Sequence, residues 1–195
     1  MVNIKAKGIV IKENPDWLKL IHILKGHKGP IGRIAWSPDG RIIATPSEDK
    51  SIKLWDGSKG TILKTLKGHS DRVIAVDWSP NGSLLASSSD DGTIRLWDIC
   101  NYEELRKLDR HRKGVRVVRW SFDGNKLVSA SNDNQVLLWS FSEEGFVLCE
   151  NFLDIQCFDI LWAPDSDQFV LASREGLLFM NSTSLLLKPY GYVVI

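Results

Sequence analysis

The stretch Asp90–Asp98, "DDGTIRLWD", recurs as "EDKSIKLWD" at residues 48–56 and as "NDNQVLLWS" at residues 132–140. The copies are spaced by 42 residues, and the same shift aligns Trp36, Trp78, Trp120 and Trp162. It also aligns Trp55, Trp97 and Trp139, and again His27, His69 and His111. The segments "AWSPDG", "DWSPNG", "RWSFDG" and "LWAPDS" superpose without a gap, as do the acidic turn residues Asp49, Asp91, Asp133 and Glu175. A fixed period of this length marks a chain built from stacked supersecondary units, each needing a neighbour to bury its apolar surface.

Within one unit the pattern reads as four short strands, in the second unit Val73 to Trp78, Leu84 to Ser88, Thr93 to Trp97 and Glu104 to Leu108. "SPNG" and "DDG" supply the Pro, Asn or Asp, and Gly that tight reversals demand. The strands "SLLAS" and "IRLW" are apolar on more than one side, which suits a small sheet covered on both faces rather than one with a wet face.

A Gly-His pair, strand and turn, then Trp-Asp, repeated every 42 residues, resembles the WD-repeat β-propeller family. "GH…LWD" is complete in units one and two; unit three has Arg110-His111 and Trp139-Ser140 instead. Unit four is degenerate, with Leu153 at the histidine position, Glu175 for the aspartate and Asn181 for the tryptophan. The resemblance covers residues 17 to 182 and implies an all-β propeller with an N-terminal half-blade over residues 1–26 and four blades over 27–195.

The resemblance further implies that one histidine, one Ser or Thr, one aspartate and one tryptophan per blade join in a hydrogen-bonded network. These are His27, Thr45, Asp49 and Trp55; His69, Ser87, Asp91 and Trp97; and His111, Ser129, Asp133 and Trp139. The residue types are also those of a Ser-His-Asp nucleophilic triad. Three equivalent copies, the lack of a G-x-S-x-G elbow and an indole partner that can only donate argue for structure instead. No catalytic residue is expected. No metal or cofactor is expected either, because the histidines are spread at 42-residue intervals and no Cys-x-x-Cys or phosphate-cradling glycine loop occurs.

Composition narrows the partners. The 25 basic and 24 acidic residues give a net charge of +1, so no global field draws in nucleic acid or an anionic membrane. The three cysteines and an N-terminal stretch without a secretory pattern point to a cytoplasmic, or at least intracellular, setting. The apolar stretch 176–195 is interrupted by Asn181, Lys188 and Pro189, short of a bilayer-spanning run.

Function in such a scaffold is expected at the positions that change between blades. By the resemblance, the residues lining the central opening are Gly32, Ile74, Arg116 and Phe158, and those facing the same surface beside the acidic turn are Glu48, Asp90, Asn132 and Arg174. The resemblance implies a protein or peptide as the ligand, while the mixed charge of these two sets leaves its chemistry open. The alternatives are an anion or nucleic acid bound by the basic run 106–119 (Arg106, Lys107, Arg110, Arg112, Lys113, Arg116, Arg119), or the sensor part of a larger protein.

Closure is the remaining expectation. "GIVIK" at residues 8–12 and "WLKLIHIL" at 17–24 align with a third and a fourth strand, without an evident mate, while unit four has its own fourth strand around residues 187–192. Four and a half units make an open arc with apolar ends, which a second copy, a partner protein or further blades of a longer chain would complete.

Overall fold

In the computed structural model, which describes residues 20–142 and 145–182, every regular element is a strand. The first sheet contains β1 (Ala35–Trp36), β2 (Ile42–Pro46), β3 (Ser51–Asp56) and β4 (Ile62–Lys67). The second contains β5 (Val73–Trp78), β6 (Leu84–Ser89), β7 (Ile94–Asp98) and β8 (Glu103–Leu108). The third contains β9 (Val115–Trp120), β10 (Lys126–Ser131), β11 (Gln135–Ser142) and β12 (Gly145–Asp154), and the fourth β13 (Cys157–Trp162), β14 (Gln168–Ser173) and β15 (Gly176–Asn181). Each sheet is an antiparallel meander in chain order. Among the described residues no helix is long and apolar enough to cross a membrane.

Turn chemistry explains the even spacing. Gly40, Gly82 and Gly124 hold φ of 69°, 72° and 74° at one position of the first turn of each sheet, a region glycine enters without steric cost. Ser166 takes that position in the fourth sheet at φ 63°, and its hydroxyl accepts a hydrogen bond from the Asp123 N–H at 3.0 Å. Asp56 and Asp98, the aspartates of "LWD", close the turn after the third strand. Asp56 accepts from the Ser58 and Lys59 N–H groups at 2.9 and 2.8 Å, and Asp98 from that of Cys100 at 2.8 Å.

The core lies between sheets. One apolar cluster joins the first and second sheets through Leu54, Val76 and Trp78; a second joins the second and third through Leu96, Val118 and Trp120; a third joins the third and fourth through Leu138, Ile160 and Trp162. Each sheet presents the tryptophan of its first strand backward and the apolar residues of its third strand forward. This is the architecture of propeller blades, with the first strands innermost.

Both ends of the arc are open among the described residues. Trp36 is 53% exposed, against 6%, 6% and 4% for Trp78, Trp120 and Trp162, because among the described residues no sheet precedes the first. At the other end Leu161, Leu177 and Phe179 are exposed. The first inner strand shortens accordingly: β1 has two residues, and Arg33 forms a parallel bridge to Ala75 of β5 instead. The expected half-blade strand at 8–12 lies outside the described residues, as do residues 17–19 and the expected final strand at 187–192. Residues 20–26 form no strand, although His22 Nε2 donates to the Ser58 carbonyl at 2.8 Å.

The fourth blade departs from the gapless repeat. Its second turn is one residue shorter, so Ala172 pairs with Leu177, whereas Ala130 pairs with Val136 in the third. Met180 therefore stands opposite Phe169 in the register that puts Trp139 opposite Leu127. The tryptophan position belongs to Met180 and not to Asn181, a correction to the fixed 42-residue alignment.

Candidate functional site

Because strands alternate in direction, one end of the arc carries the histidines and the acidic second turns, and the other carries the first turns, with proline in all blades but the third. At the histidine end the repeated polar residues are joined internally. His69 Nδ1 donates to Asp91 at 2.8 Å, the Ser87 hydroxyl lies 2.8 Å from Nε2, and Trp97 Nε1 donates to the same hydroxyl at 2.9 Å. In the first blade the corresponding separations are 2.8 Å for His27–Asp49, 2.8 Å for His27–Thr45 and 2.7 Å for Trp55–Thr45. In the third, His111 lies 3.2 Å from Asp133 and 2.9 Å from Ser129, which accepts from Trp139 at 2.9 Å.

The electrostatics suit a static brace. Burial alone would raise the Asp91 carboxyl, but hydrogen bonds from His69, Thr93 and the Ser70 N–H outweigh it and hold it well below the carboxylate range. Asp49 and Asp133 are lowered in the same way, against burial, by their hydrogen-bond donors. Burial lowers His111 more strongly than Asp133 raises it, which favours the neutral imidazole. Each serine or threonine hydroxyl already accepts an indole N–H and sits in a core, so it is not presented to a substrate. Blade four has no such brace: Leu171 occupies the Ser129 register position and Met180 the Trp139 position, while the Leu153 side chain lies outside the described residues.

The changing residues sit around this framework. Arg116 is exposed and donates to Asn132 Oδ1 at 3.1 Å, linking the two expected sets. Phe158 is exposed, Ile74 half-buried, and Arg174 exposed on its turn. Gly32 is held by backbone pairing, its N–H donating to the Pro46 carbonyl at 2.9 Å; a Cβ there would stand 2.2 Å from the Ile74 carbonyl oxygen, so glycine is required for the close approach. Asp90 pairs with Arg72, which also stands 3.8 Å from Glu48. Nothing in the repeat marks Arg72, because Pro30, Gly114 and Gln156 hold its position elsewhere.

The basic run is split by the fold. Arg106, Lys107, Arg110, Arg112, Lys113 and Arg116 are exposed. Arg119 instead turns inward, 3.8 Å from Asp77 of the second blade and 3.6 Å from Asp159 of the fourth, and Asp159 accepts from Arg33 of the first blade at 2.7 Å. This row of alternating charges across the inner strands is not repeated in the sequence and so escapes a search by period. Asp77 is pushed up to about 6 by burial, which its hydrogen bond from the Trp120 N–H and the nearby Arg119 only partly offset.

Among the described residues no group of three or more His, Cys, Asp or Glu side chains could hold a metal ion. Burial likewise pushes the Cys157 thiol up to about 11, the behaviour of a core thiol and not of a nucleophile.

Four meandering sheets, the first three braced by His–Ser/Thr–Trp networks, define a β-propeller of the WD-repeat class. The family model "WD domain, G-beta repeat" matches residues 18–56, 60–98 and 102–140, more than half of the chain, and the chain belongs to that family. COMPASS component SWD1 of Saccharomyces cerevisiae is 60% identical over 58 residues, 28% of this chain and 14% of that protein. The U5 small nuclear ribonucleoprotein 40 kDa protein of Dictyostelium discoideum is 50% identical over 42 residues, 22% of this chain and 12% of that protein. Ribosome assembly protein 4 of S. cerevisiae is 47% identical over 47 residues, 24% and 9% of the two chains. The solved structure described as "Structure of U3-55K" superposes with a TM-score of 0.75 at 24% identity, over 84% of this chain and 52% of that one. The chain thus matches only a minor part of these curated relatives and about half of the solved one.

Proposed function

We propose that this protein is a non-catalytic recognition module that binds a protein or peptide at the histidine end of the arc. The observation that carries this reading is a division of labour. In the first three blades His, Ser or Thr, Asp and Trp bond to one another, whereas Arg116, Phe158 and Arg174, which differ from blade to blade, remain exposed. An exposed arginine and an aromatic ring are the side chains that most often dominate binding energy. Relatives named for COMPASS, a small nuclear ribonucleoprotein and ribosome assembly support a role within protein assemblies, at an intracellular location.

The same reading includes completion of the ring by association, with a second copy or a partner covering the open faces at Trp36 and at Phe179. Affinity capture from cell extract by wild-type protein and by Arg116→Ala and Phe158→Ala variants tests the binding face. Selective loss of a captured protein from both variants, with circular dichroism unchanged, supports it, and equal capture by all three overturns it. A second reading, anion or nucleic-acid binding by the exposed part of the 106–116 run, rests on its six outward cations. It requires affinity that falls steeply with salt.

A further inference from the structure

At the opposite end of the arc, a cavity of about 400 Å³ opens between the first turns of successive blades. Its walls are apolar and largely aromatic: Trp78, Trp120 and Trp162 from the first strands, and Pro38, Pro80 and Phe122 from the turns that follow them. Phe122 is 57% exposed, where the first two blades carry proline, so this ring stands at the mouth with little packing to account for it.

Asp77 and Arg119 are the charged groups lining the cavity. Asp77 Oδ2 accepts the Trp120 N–H at 2.7 Å, but Oδ1 lies 3.8 Å from Arg119 Nη1, beyond a hydrogen bond. Arg119 is held back by its other neighbour, Asp159, at 3.6 Å. The cavity therefore contains a half-buried carboxylate whose nearest cation, at 3.8 Å, is shared with Asp159 and makes no hydrogen bond to Oδ1.

The surroundings carry the same sign. The turns at this end present Asp39, Asp56, Asp98, Asp123, Asp165 and Asp167. The cations on these turns are fewer: Arg41 stands 3.8 Å from Asp39, Lys59 lies beside Asp56, and Lys126 donates to the Ser182 hydroxyl at 2.9 Å and to the Ser166 carbonyl at 3.4 Å. Although the whole chain is nearly neutral, these turns carry more carboxylates than cations.

We propose that this cavity is a second docking site, receiving a lysine or arginine side chain from an extended, proline-flanked segment of a partner protein. Charge complementarity selects the occupant. A cation at the mouth gains the attraction of the exposed Phe122 ring and a charge-assisted hydrogen bond to Asp77 Oδ1. Flanking prolines hold the segment extended without internal hydrogen bonds, the form that aromatic and proline-lined grooves accept. The acidic turns around the mouth attract the cation during approach and would repel a segment of opposite charge. This site is independent of the binding face proposed above, since the two lie at opposite ends of the strands.

Peptide titration followed by the indole N–H signals of the protein tests it. The probe is acetyl-Ala-Pro-Arg-Pro-Ala-amide, compared with the same peptide carrying citrulline or glutamate in place of arginine. The expected result is saturable displacement of the Trp78, Trp120 and Trp162 signals by the arginine peptide in the millimolar range. Citrulline, or an Asp77→Asn protein, should weaken binding about tenfold, the scale of one charge-assisted contact. Phe122→Ser, at an exposed position, should weaken it while the signals of the other tryptophans stay in place. No saturable displacement by the arginine peptide, equal binding of the glutamate peptide, or undiminished affinity in folded Asp77→Asn protein each overturns the proposal.

Discussion

Met180 stands opposite Phe169 in the fourth blade, in the register where Trp139 stands opposite Leu127 in the third. The exchange is coherent with its surroundings. Trp139 needs the Ser129 hydroxyl as acceptor for its indole N–H, and the fourth blade has Leu171 in place of that serine. Removing donor and acceptor together leaves nothing orphaned, so the network becomes apolar packing.

It follows that Met180→Trp should destabilise the protein by about 1 kcal/mol, because the new indole N–H packs against the apolar cluster of the third and fourth blades without the serine acceptor. Adding Leu171→Ser should recover about 1 kcal/mol relative to additive behaviour. Urea denaturation of the two single variants and the double variant measures this coupling.

The braces of the first two blades differ in how replaceable their acceptors are. In the second, Ser87 alone serves both His69 Nε2 and Trp97 Nε1, whereas in the first His27 Nε2 also lies 3.0 Å from the Thr45 carbonyl oxygen. Ser87→Ala should cost about 2–3 kcal/mol and Thr45→Ala roughly 1 kcal/mol less. Equal costs from thermal or chemical denaturation would contradict this account.

The Asp77 carboxyl gives a signature in pH. Its folded value of about 6 lies above the ordinary 3.8, so its ionisation opposes folding. Stability attributable to this group is full below the unfolded value and is lost as pH rises through the folded one. Asp77→Asn should therefore be more stable than wild type by about 1–3 kcal/mol at pH 7, with the gap closing toward pH 4. Asp49, Asp91 and Asp133 have the opposite sign: their depressed values contribute stability that is present above the unfolded value and lost as pH falls through the folded ones. Differencing variant and wild type cancels them, along with the destabilisation on acidification from neutral, buried His111.

Equivalent tryptophans should also differ in cost. Trp120→Ala removes a buried ring and should cost about 3–5 kcal/mol, whereas Trp36→Ala should cost about 1 kcal/mol or less in dilute protein, because its ring is half exposed. If association covers the first blade, Trp36→Ala should shift the mass seen by light scattering after size exclusion toward the monomer. An unchanged mass distribution would separate that face from assembly.

The propeller class was legible because its determinants are local and repeated. The turn residues of "SPDG" and "DDG", the strand lengths and the His, Ser or Thr, Asp and Trp positions recur in phase, so each unit reads the same way. The second unit's strands lie within one residue of where the pattern puts them. The fourth blade was less legible, because a single-residue shortening of its second turn reverses which side chains of β15 face the third blade, and a gapless alignment hides that.

The amino-acid sequence by itself thus determined the blade, its turns and which residues could brace it, since these depend on neighbours within about 30 residues. The tertiary structure alone decided that Arg119 leaves the basic run for a place between Asp77 and Asp159, that Phe122 overhangs a cavity, and that Trp36 and Phe179 stand uncovered. These depend on how one blade lies against the next. Such contacts join residues 40 or more apart whose identities differ between blades, and side-chain charge and burial there are settled by packing rather than by any local pattern.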